Sequence, residues 1–186
     1  MLTVLMECLD QEPELAQSLA VLVSGAVEGL VSDVVVLDRG SKDGTERVAE
    51  AAGCRFHSDW DLNQVLGSVR GEWLLLMEPG ARPQFGWVDE IAEYMSMNRD
   101  PVRFSPSRHY RRPLLKRLIE RAQPLETGVI LSRNQALGLA RADMKLSELA
   151  RGVKSRRLAS EMIPAWVART LRCFSPCGAG AHRDAA

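Results

Sequence analysis

The chain has 186 residues, 46% of them hydrophobic and 26% charged, which is enough material for one globular domain with a full core. Its 24 Lys and Arg residues balance 24 Asp and Glu residues, so no net field argues for nucleic acid as a partner. Four cysteines without metal-ligand spacing, an amino terminus made acidic by Glu7, Asp10, Glu12 and Glu14, and no apolar run long enough to span a bilayer predict a cytoplasmic protein without a secretory leader.

In chain order, Leu2 to Cys8 is a short apolar run and reads as a buried strand. Pro13 opens a helix in which Leu15, Leu19, Leu22, Val23 and Ala26 recur at helical spacing, with Gly29 as its stop. Val31 to Asp38 is a second strand, rich in β-branched residues, and the intervening helix makes the two strands parallel neighbours. Asp38 therefore stands at the carboxyl end of a buried strand, where open α/β sheets bind their ligands. After the turn, Asp43 and Glu46 match a capping box, and Val48, Ala49 and Ala52 give the next helix its buried face.

Cys54 to His57 is compatible with a third strand, followed by a helical turn through Leu62, Val65, Leu66 and Val69. Glu72 to Glu78 repeats the pattern of a buried strand ending in a carboxylate, broken by Pro79-Gly80. A helix after Pro83 carries the stripe Val88, Ile91, Ala92, Met95. Between Arg103 and Arg121 seven basic residues meet a single acid, Glu120, and Pro106 and Pro113 argue against regular structure. Three readings of this patch stand side by side: a diphosphate clamp, a contact for anionic lipid, or a solvated loop.

Thr127 to Leu131 reads as a late strand, Ser132 as the cap of a short helix, and Leu146, Leu149, Ala150 and Val153 as a further helix. Arg157 to Ala165 fits either helix or strand. The composition predicts one domain over residues 1–172 and a disordered tail over 173–186. Cys173 and Cys177 lack companion ligands for zinc, and Trp60, Trp73, Trp87 and Trp166 read most simply as packing residues.

The turn Asp38-Arg39-Gly40-Ser41-Lys42-Asp43-Gly44-Thr45 resembles the Asp-Asp-Gly-Ser-x-Asp-Gly-Thr pattern of family-2 glycosyltransferases, departing at Arg39. Gly71-Glu72-Trp73-Leu74-Leu75-Leu76-Met77-Glu78-Pro79-Gly80 is similar to that family's Gly-Glu-Tyr-apolar-Leu-Asp-Ala-Asp motif, with Glu78 kept and Gly80 at the place of the second acid. Glu7-Cys8-Leu9-Asp10 aligns with the family's first loop, keeping a polar residue at Asp10 and lacking its aromatic residue.

The resemblance implies a shortened GT-A fold, a single three-layer α/β domain with a mostly parallel central sheet. It implies transfer of a sugar from a nucleotide-sugar donor to an unidentified acceptor. Asp38, Arg39 and Asp10 would meet the nucleotide, and Glu78 a Mg²⁺ or Mn²⁺ ion, weakened by Gly80. Arg108, Arg111 and Arg112 would close over the phosphates, and Glu148 is the candidate base. Peripheral membrane contact would run through Arg103 to Arg121. The alternative is an inactive relative that keeps the fold as a binding or scaffold module, which the degenerate metal motif favours.

Overall fold

The computed structural model describes residues 1–110 and 123–174. The first half follows the predicted order: β1 (Leu2–Cys8), α1 (Glu12–Val27), β2 (Val31–Asp38), α2 (Thr45–Ala51), β3 (Arg55–His57), α3 (Leu62–Ser68) and β4 (Trp73–Leu76). The second half comprises β5 (Arg82–Pro83), α4 (Trp87–Met97), β6 (Val102–Pro106), β7 (Val129–Ser132), α5 (Arg133–Leu139), α6 (Leu146–Arg151), β8 (Arg156–Ile163) and α7 (Ala165–Phe174). They form one sheet of order β3-β2-β1-β4-β7-β6-β8-β5. Ladders among β1, β2, β3 and β4 and between β6 and β8 are parallel, whereas β7 and β5 run against their neighbours.

Alternation along the strands sorts the core into two layers. On β1, Val4, Met6 and Cys8 join the cluster under α1, α2 and α4, and Leu5 joins the cluster under α3, α5 and α6. On β4, Trp73 and Leu75, with Met77 just after it, face the first cluster, and Leu74 and Leu76 the second. The molecule is therefore a three-layer α/β domain. β4 is wholly apolar, and β1 is so but for Thr3 and Glu7, because both of their faces are covered.

Several local expectations change. α2 begins at Gly44 without a side-chain cap, so Asp43 and Glu46 do not form a capping box. Asp43 instead accepts hydrogen bonds from the backbone N–H groups of Thr45 and Glu12, both at 3.0 Å. On α4, Ala92 is exposed and Met95 half-buried, and Trp87 takes a core position. The Arg103 region contains strand β6: Val102 and Phe104 are buried, and Arg103 turns aside to Ser155 Oγ at 2.6 Å. Pro106 is tolerated at the end of that strand.

The Arg157 to Ala165 ambiguity resolves into β8 followed by α7. Its buried residues Leu158 and Met162 are four apart, a spacing that suits a helix as well as a strand. α7 continues to Phe174, into the segment read as tail. Residues 175–186, and Arg111 and Arg112, lie outside the described residues. Among the described residues no helix is long and apolar enough to cross a membrane.

Glu90, in the first turn of α4, ties that helix to β8. Its two carboxylate oxygens accept from the backbone N–H groups of Ala159 and Ser160, each at 2.7 Å. Burial pushes its pKa up, but donation from the Ser160 side chain and from these two N–H groups outweighs it and holds the carboxyl below the ordinary glutamate value. A depressed value means stability that is fully present above the unfolded-state pKa and is lost as pH falls through the folded one. Glu90→Gln should therefore lower stability by about 1 kcal/mol at neutral pH. Urea titrations of the two proteins should converge as the pH is taken below the normal glutamate range; a gap independent of pH would contradict this role.

Candidate functional site

The carboxyl ends of β1, β2 and β4 share one edge, with Cys8 paired in register to Asp38 and Leu5 to Leu76. Asp38 is 4% exposed, and its carboxylate is committed to its own turn. One oxygen accepts from the N–H groups of Gly40 and Ser41 at 2.8 and 2.9 Å, and the other accepts from the Ser41 hydroxyl. The left-handed Gly40, at φ 91°, lets the chain fold back over that carboxylate.

The β1–α1 loop is laced to this turn. Asp10 N–H donates to Ser41 Oγ at 2.9 Å, Lys42 N–H returns a bond to Asp10 Oδ1 at 2.7 Å, and Gly44 N–H donates to Glu12 Oε2 at 3.1 Å. These bonds hold Asp10 in a left-handed conformation of φ 52°, which non-glycine residues seldom adopt. Beneath the turn, burial and then the negative Asp38 push the Cys8 thiol far above its usual range. It stays protonated and is no nucleophile.

A cleft of about 480 Å³ opens beside this turn. Asp38, Arg39 and Gly40 form part of its lining, with Asp59, Trp60, Asp61 and Leu62 from the segment after β3 and Asp143, Met144 and Lys145 from the segment before α6. That size falls within the range of small-molecule sites. Trp60 is half-buried and donates its indole N–H to the carbonyl of Asp38 at 2.8 Å. Asp61 caps α3 by accepting from Gln64 N–H at 3.0 Å.

Arg39 pairs with Glu7 at 2.8 Å, and the other oxygen of Glu7 accepts from Leu146 N–H at the start of α6, at 2.9 Å. Glu7 thereby anchors the cleft's far segment to the sheet edge.

The remaining predicted residues are dispersed. Asp10 serves the loop lacing. Glu148 is exposed on α6 and accepts from Lys145 N–H at 3.1 Å, in a helix-start bond. Arg108 is exposed and pairs with Glu161 at 2.9 Å. Glu78 is absent from the cleft lining and has Arg169 of α7 at 3.7 Å.

Gly80, at φ 94°, is pressed against α7 and α1: a side chain there would begin 3.0 Å from Ala168 Cβ and 3.2 Å from the Ala165 carbonyl. This loop cannot supply a second side-chain ligand. Among the described residues no three His, Cys, Asp or Glu groups converge as a metal site. The loop after β4 therefore offers Glu78 as its one carboxylate for a divalent cation.

Among solved structures, the chain is similar to glucosyl-3-phosphoglycerate synthase from Mycobacterium tuberculosis. Against the complex with Mn²⁺ and UDP-glucose the TM-score is 0.57 at 21% identity, covering 84% of this chain and 68% of that one. Against the complex with Mn²⁺, UDP and phosphoglyceric acid it is 0.56 at 18%, covering 95% and 80%.

The fold is that of the GT-A glycosyltransferases. A second similar structure, of a mycobacterial protein, has a TM-score of 0.54 and 25% identity. It matches 73% of this chain, which spans only 54% of that protein's length. A TPR repeat-containing protein of Synechococcus elongatus is 33% identical over 60 residues, 28% of this chain and 15% of that protein. No family model matches the chain.

The resemblance carried by the Asp38 turn thus holds at the level of fold. Trp60 and its flanking acids were missed as cleft residues, although Asp59-Trp60-Asp61 follows a strand end, the same kind of address that singled out Asp38. Glu7 entered the sequence reading only among the acids of the amino terminus and in the stretch aligned with the first loop.

Replacing Asp38 with Ala should leave the two turn N–H groups short of their acceptor and cost about 2 to 3 kcal/mol, read as a lower urea midpoint. Asp38→Asn, which keeps one carbonyl acceptor, should cost less. Urea midpoints unchanged in both variants would show that the turn does not depend on the carboxylate.

Proposed function

We propose that the cleft beside the Asp38 turn binds a nucleotide sugar, and that the chain is a glycosyltransferase-like protein handing that sugar to an acceptor. The observation that carries this reading is the placement of a ligand-sized cleft on the Asp38 turn at the carboxyl edge of a GT-A sheet. Structural neighbours of that fold are complexes with UDP or UDP-glucose.

In this reading Asp38 works through the backbone it shapes, Arg39 stands at the cleft wall, and Asp10 holds the loop across from it. Arg108, with Arg111 and Arg112 of the adjoining sequence, would approach the phosphates. Any divalent cation would arrive with the nucleotide, held by phosphate oxygens and water, since the β4 loop offers only Glu78.

A second reading, a non-catalytic binding module, draws on Glu148 being used at a helix start and Glu78 facing Arg169. Thermal shift with GDP-, UDP- and TDP-sugars, each with and without Mn²⁺, separates the possibilities. A ligand that binds the native state raises its midpoint by mass action, by an equivalent of about 2.7 kcal/mol at a hundredfold excess over Kd. Stabilisation accompanied by release of free nucleotide in the presence of acceptors supports the transferase. Stabilisation without turnover favours the binding module, and the absence of any shift rejects both.

The basic segment carries a separate proposal, peripheral contact with anionic lipid through Arg103 to Arg121. Arg103 is spent on Ser155 and the Val153 carbonyl, so the contact would rest on Arg108 and the residues after it. Sedimentation with phosphatidylserine vesicles should be seen at low salt and fall as salt rises. Protein left in the supernatant at low salt would end the proposal.

A further inference from the structure

The loop after β1, Leu9 to Gln11, has no aromatic side chain on which a nucleobase could stack. The cleft supplies one from another quarter: among the described residues, Trp60 is the single aromatic in its lining. The ring is fixed before any ligand arrives, because its indole N–H is tied to the Asp38 carbonyl and its body packs against the core cluster under α3 and α6. A ring already held in place gives up little conformational freedom when a base stacks on it. Trp73 and Trp87, by contrast, are buried within the core.

The cleft lining holds the cations Arg39 and Lys145, but the residues on either side of Trp60 in the chain are both carboxylates. Asp59 is exposed next to it, Asp61 follows it with one oxygen engaged at the start of α3, and Asp143 joins the lining from the segment before α6. Ionised carboxylates only accept hydrogen bonds. Guanine offers two adjacent donor groups, its ring N–H and its exocyclic amine, which a carboxylate can receive together. Uracil offers one N–H between two carbonyl oxygens, and a carboxylate repels both of these.

We infer that Trp60 is the stacking platform for the nucleobase of the donor, and that the carboxylates flanking it, led by Asp59, select guanine over uracil. The inference rests on the nucleotide-binding reading above and sharpens it, since the similar solved structures contain UDP.

Isothermal titration of the full chain with GDP and with UDP, for the wild type and for Trp60→Ala, Trp60→Phe and Asp59→Asn, tests it. GDP should bind more tightly than UDP. Trp60→Ala should weaken GDP by about tenfold or more, and Trp60→Phe, which keeps a ring, by less. Asp59→Asn should shrink the preference for GDP while leaving UDP binding in place.

If neither nucleotide binds the wild type, the nucleotide reading fails and takes this inference with it. If nucleotide binds but Trp60→Ala and Trp60→Phe bind as the wild type does, the platform alone is rejected. If UDP binds as tightly as GDP or more tightly, the selectivity is rejected. Should Trp60→Ala fail to fold, because it also removes the bond to Asp38, the Trp60→Phe and Asp59→Asn titrations decide.

Discussion

The acceptance of three hydrogen bonds by the buried Asp38 carboxylate is the constraint on which the ligand-facing edge of this protein depends. A carboxylate at a strand end, 4% exposed, needs donors, and the turn that follows must bend back to provide them. That bend sets Ser41 Oγ where Asp10 N–H can reach it and Lys42 N–H where Asp10 Oδ1 can receive it. One step further on, Glu12 N–H donates to Asp43, and the Glu12 carboxylate accepts from Gly44 N–H. Two loops that neither helix nor strand could satisfy become each other's partners. Because each bond orients groups used by the next, they act as a network rather than as separate increments.

The legible part of the fold is the part buried on both faces. β1, β2 and β4 read as near-continuous apolar runs because helices cover the sheet above and below them, and glycines mark the ends of α1 and α2 where the chain turns left-handed. The second half was harder for an equally physical reason. β6 sets Arg103 between the buried Val102 and Phe104, β8 opens on two exposed arginines, and Leu158 and Met162 sit at a spacing common to two kinds of structure. The loop lacing that displaced the expected capping box joins residues more than thirty positions apart, and no local pattern encodes it.

The site was legible as an address and not as a chemistry. Asp38 could be placed at a strand end from its neighbours alone, but whether its carboxylate faces a ligand or its own backbone depends on the fold of the turn. Trp60 was read as packing because half-burial is invisible in sequence. The structure places the ring in the cleft wall and ties its indole to the Asp38 carbonyl. Arg39 carries the same lesson: the motif counts it as the loss of an acid, and the structure gives it Glu7 as a partner.

Two of the departures from the family pattern are each matched by something else in the chain. Arg39 places a cation where a second acid is expected, and Glu7, 13% exposed at the end of β1, pairs with it while also receiving Leu146 N–H. One carboxylate thus offsets the new charge and pins the segment that forms the cleft's far wall. Gly80 omits an acid, and the space that a side chain would need is filled by Ala168 of α7, with Glu78 turned toward Arg169 of the same helix. Restoring an acid at position 80 would collide with α7, and restoring one at position 39 would bring a second negative charge close to Glu7. The present residues are therefore built into the packing of the edge, and the cleft is better understood through what it contains, a tethered indole among carboxylates, than through the acids it lacks.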